Sequence, residues 1–265
     1  MEKSKKAITL FLIITFAASF IFYGLIIFGE EMFPELSGIS GYLLMWCPGV
    51  AAIFVRRKYY PEDSILGFQA SKLKYLLTGI FLPVLYWGLS YGAYLLFAKN
   101  YKLSDEVITY LLKSPMTFLV YVLIFLITAM GEEVGWRGFL LPKLNDLFGM
   151  RKASLLSGLV WALWHYPILF SGYVSQIPLW YQLTTYTLLV FALSFIMAFL
   201  RLRSNSVWPA ILLHASHNLL CQLILDPAIN GDSRSFLVGE TGIISILLLI
   251  LLALIMTRKY AALKK

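Results

Sequence analysis

Three short motifs place proton-transferring or hydrogen-bonding side chains inside apolar stretches of the sequence. They are Glu132, Glu133 and Arg137 in the first motif, His165 in the second, and His214 and Asn218 in the third. A carboxylate or an imidazole can act as a general base, and an imidazole beside an amide can donate hydrogen bonds to an oxyanion. Charged groups are costly in apolar surroundings unless they are paired or hydrated, so their presence indicates a functional site.

Helical spacing separates the two glutamates. Glu133 and Arg137 are four residues apart and share one helix face, which favours an ion pair between them. Glu132 is rotated by about 100° from Glu133 and has no obvious local cation. We therefore expect Glu132 to be the carboxylate that is available for acid–base chemistry. The alternative is that both glutamates only cap and pair at the end of a helix.

The chain has three histidines, and all of them lie in the second and third motifs. His214 and Asn218 are four residues apart, so both can point at one position and stabilise an oxyanion. His217 is rotated by about 60° from His214, and we do not expect it to be the main participant. In the second motif Trp161 lies one turn before His165. The alternative for His165 is a histidine that is hydrogen-bonded in a helix-bundle core.

The elements that carry these motifs follow from the composition. Of the 265 residues 60% are hydrophobic and 14% are charged, whereas soluble domains usually contain about 25% charged residues. We predict an integral, multi-pass membrane protein of the all-α class with about eight transmembrane helices, because a span needs about 20 apolar residues. The runs lie near residues 7–28, 40–55, 75–98, 116–131, 153–170, 181–200, 205–224 and 242–257.

The sequence predicts a single transmembrane domain over residues 1–265. Its catalytic core spans about residues 116–225, and we expect the N-terminal helices in 7–98 and the last helix, 242–257, to be peripheral. Residues 103–113 are predicted to form a short amphipathic helix outside that core.

Basic residues predict the orientation of the bundle. If the N-terminus lies inside, 18 of the 22 Lys and Arg residues fall in cytoplasmic segments, which indicates that both termini are inside. We attribute the net charge of +8 to these segments and expect no nucleic-acid partner. In this arrangement His165 and His214 lie roughly 18 Å and 14 Å along their helices from the cytoplasmic ends. The three motifs are therefore expected at comparable depths in the cytoplasmic half of the membrane.

The three motifs resemble those of the CPBP family, also called the Abi or type II CAAX prenyl endopeptidase family. Residues 132–137, "EEVGWR", are similar to its EExxxR motif, and residues 161–165, "WALWH", resemble FxxxH with Trp in place of Phe. Residues 214–218, "HASHN", resemble HxxxN. The order of the motifs and their placement on successive apolar helices also match, over roughly residues 116–225.

The resemblance implies an intramembrane endopeptidase. Glu132 and His165 would activate a water for attack on a peptide carbonyl, and His214 and Asn218 would stabilise the oxyanion. Supporting roles fall to Glu133, Arg137 and Trp161, the last of which would pack beneath His165. Members of the family act on prenylated CAAX proteins or are linked with bacteriocin processing, immunity and peptide maturation. We therefore expect a peptide or lipidated protein substrate from the cytoplasmic side, in contact with membrane lipid.

The need for a metal is open at this point. Glu132, His165 and His214 are of types that could form a two-His, one-carboxylate site for a divalent ion, with zinc the leading choice. The sequence has no HExxH helix, the usual zinc-protease pattern. We lean towards direct glutamate chemistry without a metal.

Two other functions are compatible with ionisable residues in a membrane bundle. A proton- or cation-coupled transporter would use the same Glu and His residues, but it would be expected to show repeated halves, and none is apparent in the sequence. A catalytically idle bacteriocin-immunity scaffold would be expected to carry degraded motifs.

Overall fold

The computed structural model describes residues 1–29, 32–62, 66–172 and 177–262. Lys264 and Lys265, which the sequence assigns to the cytoplasmic side, lie outside the described residues. The helices in chain order are α1 (Glu2–Phe28), α2 (Pro34–Tyr59), α3 (Leu73–Phe97), α4 (Glu106–Lys113), α5 (Pro115–Glu133), α6 (Leu141–Phe170), α7 (Leu179–Ser204), α8 (Trp208–Asn218), α9 (Asp226–Ala228), α10 (Arg234–Leu237) and α11 (Ile243–Ala262).

Two π-helical segments interrupt the regular helices next to the candidate site. Val134–Leu140 joins α5 to α6, and Leu219–Leu225 joins α8 to α9. Strands β1 (Lys102–Leu103) and β2 (Ile229–Asn230) pair antiparallel and form the two-stranded sheet of the described chain. Such π-helical turns are often found at functional sites.

The all-α membrane bundle predicted from the sequence is confirmed. Six helical stretches of the described chain are long and apolar enough to span a membrane, and one of them is the 56-residue path Pro115–Phe170. Gly149, with φ 76° and ψ 163°, breaks α6 within that path. Each of the eight predicted runs is largely helical, and α4 forms where a short helix was expected. The number of crossings and the N-in, C-in orientation stay predictions.

Helices α1 and α7 show how the bundle is layered. The buried residues of α1 recur once per turn, at Ala7, Phe11, Thr15, Ser19 and Tyr23, and its remaining surface includes exposed apolar side chains. A single buried stripe of this kind is typical of a helix at the edge of a bundle. Helix α7 is instead buried along most of its length between α6, α8 and α11. Helix α7 therefore lies in the interior of the bundle, whereas α1 lies at its edge.

Helices outside the predicted catalytic core contact it directly. The ring of Phe11 in α1 packs edge-on against Trp136, with centroids 5.8 Å apart. Trp164 Nε1 donates a hydrogen bond of 2.7 Å to Ser19 Oγ, and the Tyr23 hydroxyl donates to the Trp164 carbonyl. Helix α1 thus braces the side of α6 that carries the second motif.

Small residues bring α2 and α5 unusually close together. A Cβ atom added at Gly135 would lie 2.4 Å from Pro48 Cβ, and one at Gly131 would lie 2.7 Å from the Met45 carbonyl oxygen. Glycines at such contacts let two helix backbones approach in a membrane bundle. Because Glu132 lies between these two glycines, its backbone is held firmly against α2.

Candidate active site

The four candidate catalytic residues line one cavity. It has a volume of about 480 Å³ and lies among α2, α5, α6, α7 and α8. Glu132, His165, His214 and Asn218 all contribute to its wall. The structure therefore brings the three sequence motifs together, although they are separated by up to 86 residues along the chain.

Glu132 is bound by two uncharged donors. Its side chain is almost fully buried, and Oε2 accepts hydrogen bonds from Trp161 Nε1 at 2.6 Å and from Trp136 Nε1 at 3.3 Å. Indole N–H groups only donate, so they fix the carboxylate without neutralising its charge. Glu132 also interacts electrostatically with His165 and His214.

Glu133 is bound by groups that carry or can carry positive charge. Its Oε1 accepts hydrogen bonds from Arg137 Nη1 and from His214 Nδ1, each at 2.9 Å. The Arg137 ion pair is the one that the four-residue spacing indicates. Both side chains of that pair are buried, and Oε2 of Glu133 has no hydrogen-bond partner within the described part of the chain.

The Arg137 guanidinium also contacts side chains of α6 and α7. Nη2 donates to Ser194 Oγ at 3.1 Å, and the guanidinium carbon lies 4.1 Å from the Trp161 ring centroid. The backbone is fixed as well, because Arg201 Nε donates to the Arg137 carbonyl at 2.9 Å. Trp161 therefore touches both the Glu132 and the Arg137 side of the site.

His165 presents one ring nitrogen to the cavity. A carbonyl can only accept, so Nδ1–H must donate in the 2.9 Å contact with the Trp161 carbonyl oxygen. In a neutral imidazole this leaves Nε2 as an acceptor. The ring packs against Trp164, Tyr186 and Trp161, with centroid distances of 4.8, 5.2 and 5.8 Å. His165 is thus fixed in orientation yet partly accessible.

His214 and Asn218 also line the cavity. Because His214 Nδ1–H is used by Glu133, Nε2 is the ring nitrogen left for the cavity. Its ring also packs on Trp161, with centroids 5.4 Å apart. The Asn218 side chain makes no hydrogen bond to any other described residue, so its amide is free to bind a substrate oxygen.

The match to known proteins covers this constellation. Residues 114–220 match the family model described as Type II CAAX prenyl endopeptidase Rce1-like. The chain is therefore similar to this family over less than half of its length. All three motifs lie within the matched residues, so the family resemblance drawn from the sequence is confirmed.

A curated relative is also similar to part of the chain. CAAX prenyl protease 2 of Methanococcus maripaludis is 32% identical over 133 residues. The aligned region covers 48% of this chain and 46% of the relative, so the chain spans about half the length of the curated relative that it matches.

The three residues left open as a metal site do not form a recognisable ligand cluster. Among the residues described in the structure, no group of three or more His, Cys, Asp and Glu side chains is placed to hold a metal ion. The reaction proposed below is written with the residues of the chain alone.

His217 belongs to a separate polar cluster on the same cavity. Its Nδ1 lies 2.5 Å from the Tyr86 hydroxyl, its carbonyl accepts a hydrogen bond from Trp87 Nε1 at 3.2 Å, and its Nε2 lies 3.7 Å from Glu240 Oε1. It therefore points towards α3 rather than towards Glu133.

The sequence analysis missed several contacts of this candidate site. Trp136 carried a usable signal, since it lies four residues after Glu132 on the same helix face. Ser194 and Arg201 carried none, because they come from α7 and reach Arg137 only through the fold. Glu240 lies in a polar loop before α11, and nothing in that loop predicts that it faces the cavity.

Proposed function

We propose that this chain is an intramembrane endopeptidase that hydrolyses a peptide bond in a membrane-associated or lipidated peptide. The proposal rests on the arrangement of hydrogen-bond acceptors and donors around one cavity. Two acceptors, the Glu132 carboxylate and His165 Nε2, share it with donors from His214 and Asn218. Water activation needs acceptors, and a developing oxyanion needs donors.

The reaction follows from these groups. A water donates its two hydrogens to Glu132 and His165, and its oxygen attacks the substrate carbonyl as Glu132 takes one proton. The carbonyl electrons move to oxygen, and the oxyanion accepts hydrogen bonds from His214 Nε2–H and the Asn218 amide. Collapse of the tetrahedral intermediate breaks the C–N bond, and Glu132 returns its proton to the leaving amine.

The Glu133 carboxylate makes the donor role of His214 possible. With Nδ1–H bound to a carboxylate, the doubly protonated imidazole is stabilised, so Nε2 can carry a hydrogen as well. Arg137 keeps Glu133 in place and Trp161 orients Glu132. These three residues support the site without contacting the reacting carbonyl.

The remaining cavity wall favours an apolar substrate segment. Towards the start of α2 the lining is Tyr42 and Leu44, facing Tyr121 and Phe125 of α5. Together with the family match, this lining supports a substrate that carries a lipid or an apolar flank. We place the cavity in the cytoplasmic half of the membrane, on the charge bias of the sequence.

The test is cleavage by the purified full-length protein in lipid nanodiscs. Quenched fluorescent peptides with a prenylated CAAX end, their unprenylated counterparts and leader peptides are compared for wild type, Glu132→Gln and His165→Ala. We expect wild-type cleavage to fall by about 10³-fold or more in Glu132→Gln. The exposed Asp232→Asn variant is the matched control and should cleave as wild type.

The same assay can contradict the proposal in two ways. Cleavage that is unchanged in Glu132→Gln would remove the mechanism. Cleavage that is lost with a chelator and restored by Zn²⁺ would replace direct glutamate chemistry with metal-assisted hydrolysis.

A further inference from the structure

A second polar cluster lines the cavity beyond the four candidate catalytic residues. It consists of Glu240, His217 and Gln222. Gln222 Nε2 donates a hydrogen bond of 2.9 Å to Glu240 Oε1, and His217 Nε2 lies 3.7 Å from the same oxygen. None of these residues takes part in the hydrolysis described above.

The backbone before α11 delivers Glu240 to the cavity. Gly239 has φ 81°, a left-handed conformation that favours glycine. The turn is closed on both sides: Val238 N–H donates to the Arg234 carbonyl at 2.8 Å, and Gly242 N–H donates to the Gly239 carbonyl at 3.1 Å. Glu240 is therefore placed in the cavity wall by a defined turn, and its side chain is only 16% exposed.

The Glu240 carboxylate has His217 and Gln222 as neighbours and no permanently charged partner among the described residues. Burial by itself raises the pKa of the Glu240 carboxyl, but the interaction with His217 and the hydrogen bond from Gln222 outweigh burial and lower that pKa below its usual value. The group is thus a carboxylate at neutral pH. In the described part of the chain no Lys or Arg pairs with it, and Oε2 accepts no hydrogen bond.

The contrast with Glu133 shows why this matters. Glu133 also lies in the protein interior, but Arg137 compensates its charge. A mostly buried carboxylate that lines a cavity and has no Lys or Arg partner attracts a cationic or strongly donating group, and the attraction is stronger there than in bulk water. A substrate carboxylate at the same place would be repelled.

We propose that Glu240, held by Gln222 and His217, is a specificity subsite that binds a positively charged group of the substrate, such as a Lys or Arg side chain or an amino terminus. The proposal rests on the endopeptidase function proposed above. It predicts that substrate preference, rather than the chemical step, depends on the charge at position 240.

Substrate peptides with single charge changes test this subsite. A set of quenched peptides carries Lys, Gln or Glu at each position on either side of the scissile bond. At one position we expect wild type to cleave the Lys peptide about 10-fold or more faster, in kcat/KM, than the Glu peptide. Glu240→Gln should bring this ratio close to one, and Glu240→Lys should invert it.

Two controls separate a specificity role from damage to the fold. Asp232→Lys makes the same charge change on an exposed loop residue that does not line the cavity, and it should keep the wild-type ratio. If Glu240→Lys does not fold, Glu240→Gln, which keeps the side-chain shape, decides the question by itself. A Lys-to-Glu ratio that stays at the wild-type value in an active Glu240→Gln variant overturns the proposal.

A binding measurement keeps this inference distinct from the proposed function. Fluorescent Lys and Glu peptides are titrated into Glu132→Gln and into Glu132→Gln/Glu240→Gln. Preferential binding of the Lys peptide that disappears in the double variant supports the subsite even if no peptide is cleaved. Equal binding of both peptides to Glu132→Gln overturns it, whereas absent cleavage by wild type overturns only the endopeptidase proposal.

Discussion

Glu132 and Glu133 are adjacent, carry the same side chain and are both buried, yet their surroundings differ completely. Glu132 accepts hydrogen bonds from two neutral indoles and lines the cavity, whereas Glu133 is bound by Arg137 and His214. Glu132 is oriented by neutral donors, whereas the charge of Glu133 is compensated within the protein. The comparison supports the proposed roles, in which the donors around each carboxylate, more than its depth of burial, separate a catalytic from a supporting glutamate.

Removing the charge of Glu133 should have the largest effect on stability of the changes considered for these two glutamates. We expect Glu133→Gln to lower the free energy of unfolding by about 3–5 kcal/mol, because it leaves the buried Arg137 uncompensated. Glu132→Gln should change it by less than about 1 kcal/mol, since Glu132 forms no direct ion pair with any described Lys, Arg or His side chain. Thermal and denaturant unfolding in detergent measure both.

Replacing both partners of that ion pair is the control. The double variant Glu133→Gln/Arg137→Gln should be more stable than Glu133→Gln alone, because no unpaired charge remains. Equal destabilisation by Glu132→Gln and Glu133→Gln would contradict the division of roles.

The contact between α2 and α5 is the next test. Gly135→Ala places a Cβ 2.4 Å from Pro48 Cβ, so we expect a loss of about 1–3 kcal/mol in unfolding free energy. Gly92→Ala in α3 is the matched control, because a Cβ there meets nothing within 4 Å. If the two variants unfold alike, the close approach does not stabilise the Glu132 face.

The Trp161→Phe variant tests how strongly Trp161 orients Glu132. Phe keeps an aromatic ring beside His165 but removes the 2.6 Å hydrogen bond to Glu132, so we expect kcat to fall by about 10-fold with KM little changed. Trp136→Phe removes the longer 3.3 Å bond and should cost less activity. Steady-state kinetics on one peptide rank the two, and the reverse order would mean that Trp136 orients Glu132.

Ser194→Ala should give the smallest effect, on the Glu133 side. It removes one hydrogen bond to Arg137 Nη2, and we expect about 1 kcal/mol lower unfolding free energy. Cleavage should stay close to wild type. A marked loss of activity without a loss of stability would show that the Arg137 network acts on the reaction itself.

The sequence predicted those contacts of the site that follow from residue spacing within one helix or from the depth of residues in the membrane. The Glu133–Arg137 pair follows from a four-residue spacing, and the meeting of Glu132, His165 and His214 follows from placing three helices in one layer. The hydrogen bond between His214 and Glu133 could not be predicted, because it depends on how α8 is rotated about its axis relative to α5.

The same limit applies to the rest of the fold. Runs of apolar residues identified the long helices, but the π-helical segment Val134–Leu140 has no clear signal, since its composition would suit an α-helix equally well. Glu240 comes from a loop whose path is set by the glycine turn before α11, and short polar loops give no periodicity from which a direction can be predicted.

The interface between α2 and α5 is tightly packed at one end and loosely packed at the other. At Gly49 a Cβ would lie 2.6 Å from the Gly131 carbonyl oxygen, whereas Gly38 and Gly41, which line the cavity, have nothing within 4 Å. Larger residues can therefore replace these two glycines without separating the helices. Because Gly38 and Gly41 have no side chains, the cavity is wide at this end. Residues of increasing size at these two positions would narrow it and exclude bulky substrates.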